Sequence, residues 1–181
     1  MNKSIGDKAQ PDFKMKHIPA IMIGFSILLP TPSAYACSCV DDGSSFVQKA
    51  KQSELVVRGK VIEYQWHKDD KERKEVPLAM TVEVKEVYKG ATKLRKVVVW
   101  GDNGMMCRPY ITQFPIETEW VLALSKDAWT GKGKLAISGC GEHWLQVKGS
   151  NATGKVTDGS SKAKPQVVSF SHLRNLLKAT P

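Results

Sequence analysis

The chain has 181 residues, 41% of them hydrophobic and 25% charged, and its 27 lysines and arginines outnumber 18 acidic residues for a net charge of +9. That length bounds it to one domain with a real core, and the basic balance invites an anionic partner such as nucleic acid, polysaccharide or a membrane surface. Neither a His-Glu-x-x-His zinc motif nor a phosphate-cradling glycine loop occurs, and His67, His143 and His172 lie far apart, so those catalytic classes are excluded and no enzyme is expected.

The chain opens with a basic stretch holding Lys14, Lys16 and His17, followed by the apolar run Ile18–Leu29. A Pro30/Pro32 break and small residues at Ala34 and Ala36 complete the pattern of a secretory signal over residues 1–36. Met15 is an alternative start. The apolar run is short for a membrane span, so an uncleaved anchor is the lesser reading and no stable span is expected after cleavage. A lipoprotein is the other competitor, but Ala34 and Tyr35 fit poorly where a lipobox wants a branched aliphatic and then a small residue. Cleavage after Ala36 leaves 145 residues with a net charge of +7 and makes Cys37 the first residue. Export places the protein in a secreted or periplasmic setting.

All four cysteines, Cys37, Cys39, Cys107 and Cys140, follow the cleavage site. An even count in an exported chain reads as two disulfides, with three possible pairings. A Cys37–Cys39 bridge would close a tiny strained ring. Either other pairing pins the N-terminal segment at two points to distant parts of the chain, each long loop contributing roughly 4 kcal/mol. A four-thiolate zinc site wants Cys-x-x-Cys knuckles, whereas Cys107 and Cys140 stand alone.

Beyond Cys39, Ser44 or Ser45 can cap a short helix through Phe46, Val47 and Ala50. Leu55–Tyr64 reads as a strand with a bulge or bend at Gly59, and the mixed block Lys68–Glu75 as a hairpin tip. Met80–Tyr88 alternates apolar and polar residues as a half-buried strand does. Lys89-Gly90 turns it into Leu94–Trp100. Trp120–Leu124 and Lys134–Ser138 follow, with a Gly131/Gly133 turn between them.

Five strands at this spacing predict a mainly β fold, a small closed barrel. Residues 149–165, rich in Ser, Thr, Gly, Lys and Asn, read as a flexible linker, and the Asn151-Ala152-Thr153 sequon in it as chance. Residues 166–181 carry a C-terminal helix, with Phe170, Leu173, Leu176 and Leu177 on one apolar face packing on its own barrel. The scattered lysines read mainly as a solvated surface, and the strand aromatics Tyr64, Trp66, Tyr88 and Trp100 form no evident stacking stripe.

Cys37-Ser38-Cys39 at a mature N-terminus, a short helix and a five-stranded barrel resemble the N-terminal, netrin-like domain of the tissue inhibitors of metalloproteinases. Glu54–Val61, Val84–Gly90 and the lone Cys107 and Cys140 add to the likeness, which covers roughly residues 37–148. The resemblance implies an OB-fold barrel with flanking short helices and bridges Cys37–Cys107 and Cys39–Cys140. The third disulfide of the animal domain has no cysteine here and the disulfide-rich C-terminal domain is absent, as in the reduced versions found in bacteria.

The resemblance further implies a monomeric inhibitor of zinc metalloendopeptidases. Cys37 would chelate the protease's catalytic zinc through its α-amino nitrogen and carbonyl oxygen, and Ser38 would enter the pocket beside it. Cys39, Val40 and Asp41 would extend along the cleft, with Met105 and Met106 supplying an adaptable apolar ridge. No cofactor is implied beyond zinc inside the target. The competing readings are a basic OB-type module binding an acidic polysaccharide or other anionic ligand, and a purely structural envelope domain stapled by its cysteines.

Overall fold

Two long antiparallel strands set the scale of the molecule. In the computed structural model, which describes residues 43–65, 76–102, 104, 106–126 and 134–178, β1 (Leu55–Gln65) pairs with β2 (Ala79–Lys89). The second of these runs is the alternating segment around Met80–Tyr88, so period-two patterning reports the strand faithfully. Gly59 performs the bend expected of it. The register shifts between Arg58 and Gly59, and a Cβ at Gly59 would lie 2.4 Å from Val82 Cγ1 and 2.8 Å from Glu83 O. The two backbones approach there more closely than any side chain allows.

β3 (Lys96–Trp100) adds to β2 in antiparallel register, Val82 opposite Val97. β4 (Glu119–Lys126) lies along β1 from Leu55 opposite Leu124 to Lys60 opposite Glu119. The two-residue β5 (Leu135–Ala136) runs parallel to β3 and antiparallel to β4. The circuit β1-β2-β3-β5-β4 therefore returns to β1, a closed five-stranded OB-like barrel, as the strand spacing predicts. The hairpin tip expected at Lys68–Glu75 and the Gly131/Gly133 turn lie outside the described residues.

Three further strands were not expected. β6 (Trp144–Lys148) pairs with β4, β7 (Asn151–Gly154) with β6, and β8 (Gln166–Ser169) with β7. The stretch 149–165 is thus no flexible linker: it contains a strand bonded on both edges, and the sequon Asn151 begins that strand. The polar composition reflects a strand of four residues that buries only Ala152, followed by a fully buried Val156. The C-terminal segment starts as β8 and turns helical only at Phe170.

Two helices complete the fold. α1 (Phe46–Gln52) carries a full capping box: Ser45 N–H donates to Gln48 Oε1 at 2.7 Å and Gln48 N–H to Ser45 Oγ at 3.4 Å. At its other end Lys89 Nζ donates to Ser53 O at 2.6 Å and to Lys51 O, placing a cation against the helix C-terminus. α2 (Phe170–Lys178) buries Leu173, with Phe170, Leu176 and Leu177 against the same cluster, so its apolar face packs on its own domain as expected.

β4 divides the interior. Trp120, Leu122 and Leu124 point into the barrel beside Phe114, Ile111 and Met80, while Val121 and Ala123 point outward beneath α1 and α2. A strand buried on both faces reads as an unbroken apolar run. Each large aliphatic so buried contributes about 1.5–3 kcal/mol.

Candidate functional site

Cys37, Ser38, Cys39, Val40 and Met105 lie outside the described residues. The structure describes the stretches that carry the other cysteines, residues 102, 104 and 106–110 after β3 and 138–143 after β5. Both loops are built from turns. Asp102 Oδ1 accepts from Gly104 N–H at 2.9 Å and from Met106 N–H at 2.8 Å, and Asp102 N–H donates to Pro109 O at 3.1 Å. A short carboxylate closing the turn onto the backbone ahead of it is the local preference of this residue type. Arg108 N–H returns to Met106 O at 2.8 Å, which leaves Met106 half-buried and Cys107 exposed.

The second loop closes onto the first. Gly139 N–H donates to Cys107 O at 2.9 Å, and a Cβ at residue 139 would stand 3.2 Å from that oxygen. Cys140 N–H donates to Ser138 Oγ at 3.1 Å, and His143 Nε2 meets Cys140 O at 3.1 Å, where the ring nitrogen donates. His143 is buried, and its own carbonyl accepts from Ala123 N–H of β4 at 2.8 Å. It therefore packs beneath the cysteine turn. The result is one rim of the barrel where Met106, Cys107 and Cys140 sit on hydrogen-bonded loops. Neither cysteine is a free thiol. The pairing expected of them with Cys37 and Cys39 falls on residues outside the described ones.

Sequence reasoning missed Asp102 and Gly139, which with His143 shape this rim. Asp102-Asn103-Gly104 and Gly139-Cys140-Gly141 are turn signals, but nothing in either tells which loop it will meet.

A second polar cluster holds α2 to the barrel. Glu86 of β2 sits between Arg58, whose Nε is 3.7 Å away, and Arg174 of α2, which hydrogen-bonds it. The Arg58 guanidinium stacks 4.2 Å from the Phe170 ring centroid, and Arg174 lies 6.0 Å from that of Tyr88. Burial, then the Glu86 charge, pushes the Tyr88 phenol well above its ordinary value. These are contacts of a helix latch, with no reactive centre among them.

Much of the basic surface is already paired. Lys85 meets Glu83 at 2.7 Å, Lys126 meets Glu54 at 2.8 Å, Lys155 meets Glu142 at 3.6 Å, and Lys60 bonds Glu117. The described aromatics diverge: Tyr64 donates to Phe114 O at 3.0 Å, Tyr88 joins the outer core, and Trp100 carries Lys134 Nζ 4.4 Å above its ring. Trp66 lies outside the described residues. Among the described residues no three His, Cys, Asp or Glu side chains converge as a metal site would require, and no helix is long and apolar enough to cross a membrane. The chain matches no known protein-family model and no curated protein.

Proposed function

We propose that the protein is an exported inhibitor of zinc metalloendopeptidases whose inhibitory group is the N-terminal Cys37. One observation carries this reading: the loops of Cys107 and Cys140 are joined at a single rim by the Gly139 to Cys107 hydrogen bond of 2.9 Å. A Cys-x-Cys segment in extended backbone separates its two cysteines by about 7 Å. Two bridges from it, each spanning roughly 4.4–6.8 Å between Cα atoms, need acceptor cysteines on neighbouring loops. A rim of this kind supports bridges Cys37–Cys107 and Cys39–Cys140 and a segment Cys37–Val40 lying along it, with Met105 and Met106 as the adjoining ridge.

The chemistry follows from the terminus. Cleavage after Ala36 frees an α-amino group next to the Cys37 carbonyl, and the pair would take two positions on the target's zinc, displacing its water. The nitrogen donates only when neutral. An ordinary α-amino group titrates at about 7.7–8.0, so inhibition strengthens as pH rises through that range, and a nearby zinc lowers the pH at which it sets in. Bridged loops hold the terminus in place before binding, which lowers the ordering cost. Ser38 then enters the pocket beside the metal.

The test compares protein beginning at Cys37 with protein extended by one alanine, both assayed against zinc endopeptidases after the mass of each has been read intact and reduced. The mature form should inhibit and the extended form should not. An extended form that still inhibits sinks the reading. The stacking of Lys134 on Trp100 in β3 favours a second reading, an anionic-ligand module on the barrel's face. Binding to an acidic polysaccharide that is absent at low salt, or indifferent to salt, would rule that out.

A further inference from the structure

Residues 87–101 stand apart from the paired basic surface, with four basic residues and no acidic one. Lys89 is engaged by the carbonyls at the end of α1. Lys93 and Arg95 enter no ion pair among the described residues. Lys96 lies opposite Glu83, but that carboxylate already meets Lys85 at 2.7 Å. The turn from β2 into β3 therefore projects positive charge.

Within this charge sits Leu94, 65% exposed between Lys93 and Arg95. The pairing with β2 runs one residue ahead of β3, Val84 N–H donating to Arg95 O at 2.8 Å, so the backbone beside Leu94 is anchored. β3 then alternates. Val97 and Val99 enter the barrel, while Lys96 and Val98 are exposed and Trp100 is half-buried on the outward face. Lys134 Nζ lies 4.4 Å above the Trp100 ring. β5 pairs with Val99 and Trp100 alone, so no described strand covers the edge of β3 ahead of them. A solitary exposed leucine is ordinary on a protein surface, whereas an apolar row rimmed by cations marks a surface that meets something.

The composition of the row selects its occupant. An acidic polysaccharide would answer the cations but offers no apolar phase to Leu94 and Val98. An anionic bilayer answers both. Its headgroups meet the lysines and arginine, whose stems lie along apolar surface, and its acyl boundary takes the leucine and valine. An indole with one wet edge suits the level between them.

We propose that the β2–β3 turn and the outward face of β3 dock on an anionic lipid bilayer, Leu94 entering the headgroup–acyl boundary while Lys93, Arg95, Lys96 and Lys134 meet the headgroups. The proposal rests on the second reading above, that of an anionic-ligand face, and names its ligand. It is independent of the inhibitor reading, because no residue of the Cys107 and Cys140 rim takes part.

The experiment uses the chain from Cys37 onward, which contains every described element, so that residues 1–36 do not contribute. Flotation is read with vesicles of phosphatidylcholine alone and with about 30% phosphatidylglycerol. The wild type should float only with the anionic vesicles, and less as salt rises. Leu94→Ser should lower the partition coefficient about tenfold, and Leu94→Phe should keep it. Replacing Lys93, Arg95 and Lys96 together by Gln should lower it about a hundredfold, at about fivefold per cation. Lys134→Gln should act like one of these. All these side chains are exposed or make no buried contact in the barrel, and unchanged circular dichroism checks that each variant folds.

Equal binding to both kinds of vesicle overturns the proposal, as does anionic binding that Leu94→Ser leaves unchanged. Heparin serves as the polysaccharide probe. Salt-sensitive binding to heparin without flotation keeps the anionic-ligand reading and overturns the bilayer. Binding to neither probe removes both.

Discussion

The two faces of β4 look onto two kinds of interior. Inside the barrel the packing is aromatic and deep: Phe114 meets Trp120 edge-on at 5.0 Å and Trp144 at 5.6 Å, with Leu122, Leu124 and Met80 around them. Outside, beneath the helices, many of the buried residues are smaller, Ala50, Ala123, Ala152 and several valines, with Phe46, Leu145 and Leu173 as the large members. The barrel closes on itself through backbone pairing and needs little else. The outer layer is assembled from short pieces held by a charged latch at Glu86 and by backbone contacts at residues 43–47. The large aromatic contacts lie in the first region, and the second joins the two helices to the sheet.

Truncating the barrel should therefore cost most. Phe114→Ala removes the ring shared by both aromatic contacts and leaves a cavity, for an expected loss of about 3–5 kcal/mol in urea unfolding, with every strand melting together. A loss below about 1 kcal/mol would mean that the barrel interior is not the dominant core. Leu173→Ala should cost about 2–3 kcal/mol, near the low end for a buried leucine because α2 can settle toward the sheet. Its signature differs from that of the first variant: amide exchange should rise throughout α2 and β8 while β1 and β2 stay protected. Uniform loss of protection would merge the two regions into one cooperative unit.

The same division explains what could be read from residues alone. Met80–Tyr88, Trp120–Leu124, the Ser45 cap and the Gly59 bend are legible because each follows from its own neighbours: an alternation, an apolar run, a hydroxyl before a helix, a residue without a side chain. Asn151–Gly154 offers one buried alanine and three residues that suit a loop, and it becomes a strand only because β6 and β8 supply its backbone partners. Tertiary context decides such a segment. The site divides likewise. Cysteine spacing raises the expectation that one short segment is bridged to two distant loops. Yet the bond from Gly139 to Cys107 joins backbone groups 32 residues apart and leaves no trace in side-chain patterning.

The latch gives a finer cut between the regions. Glu86→Gln removes the charge between Arg58 and Arg174 but keeps a hydrogen-bond acceptor. A partly exposed ion-pair network of this kind contributes little, so exchange in α2 should quicken by no more than about fivefold, with the barrel unaffected. A larger effect would make Glu86 the principal support of α2, above Leu173.

Tyr88 supplies the smallest effect and the clearest pH signature. Its hydroxyl is buried without a hydrogen-bond partner among the described residues, and burial raises its folded-state pKa above the ordinary value of about 10. Above that pH the unfolded chain loses the phenolic proton while the folded protein keeps it. The folded state then binds more protons, and stability falls as pH rises. Below about pH 9 the two states are equally protonated and the group contributes no slope. Tyr88→Phe should therefore flatten the alkaline limb of the stability curve above about pH 10. At neutral pH it should be close to neutral, since the phenol has no partner to lose. Because Tyr88 packs against the outer cluster, the missing alkaline loss should be read at α2 before the barrel. A wild type whose α2 and barrel lose protection at the same alkaline pH would show that the latch and the closed sheet open as one.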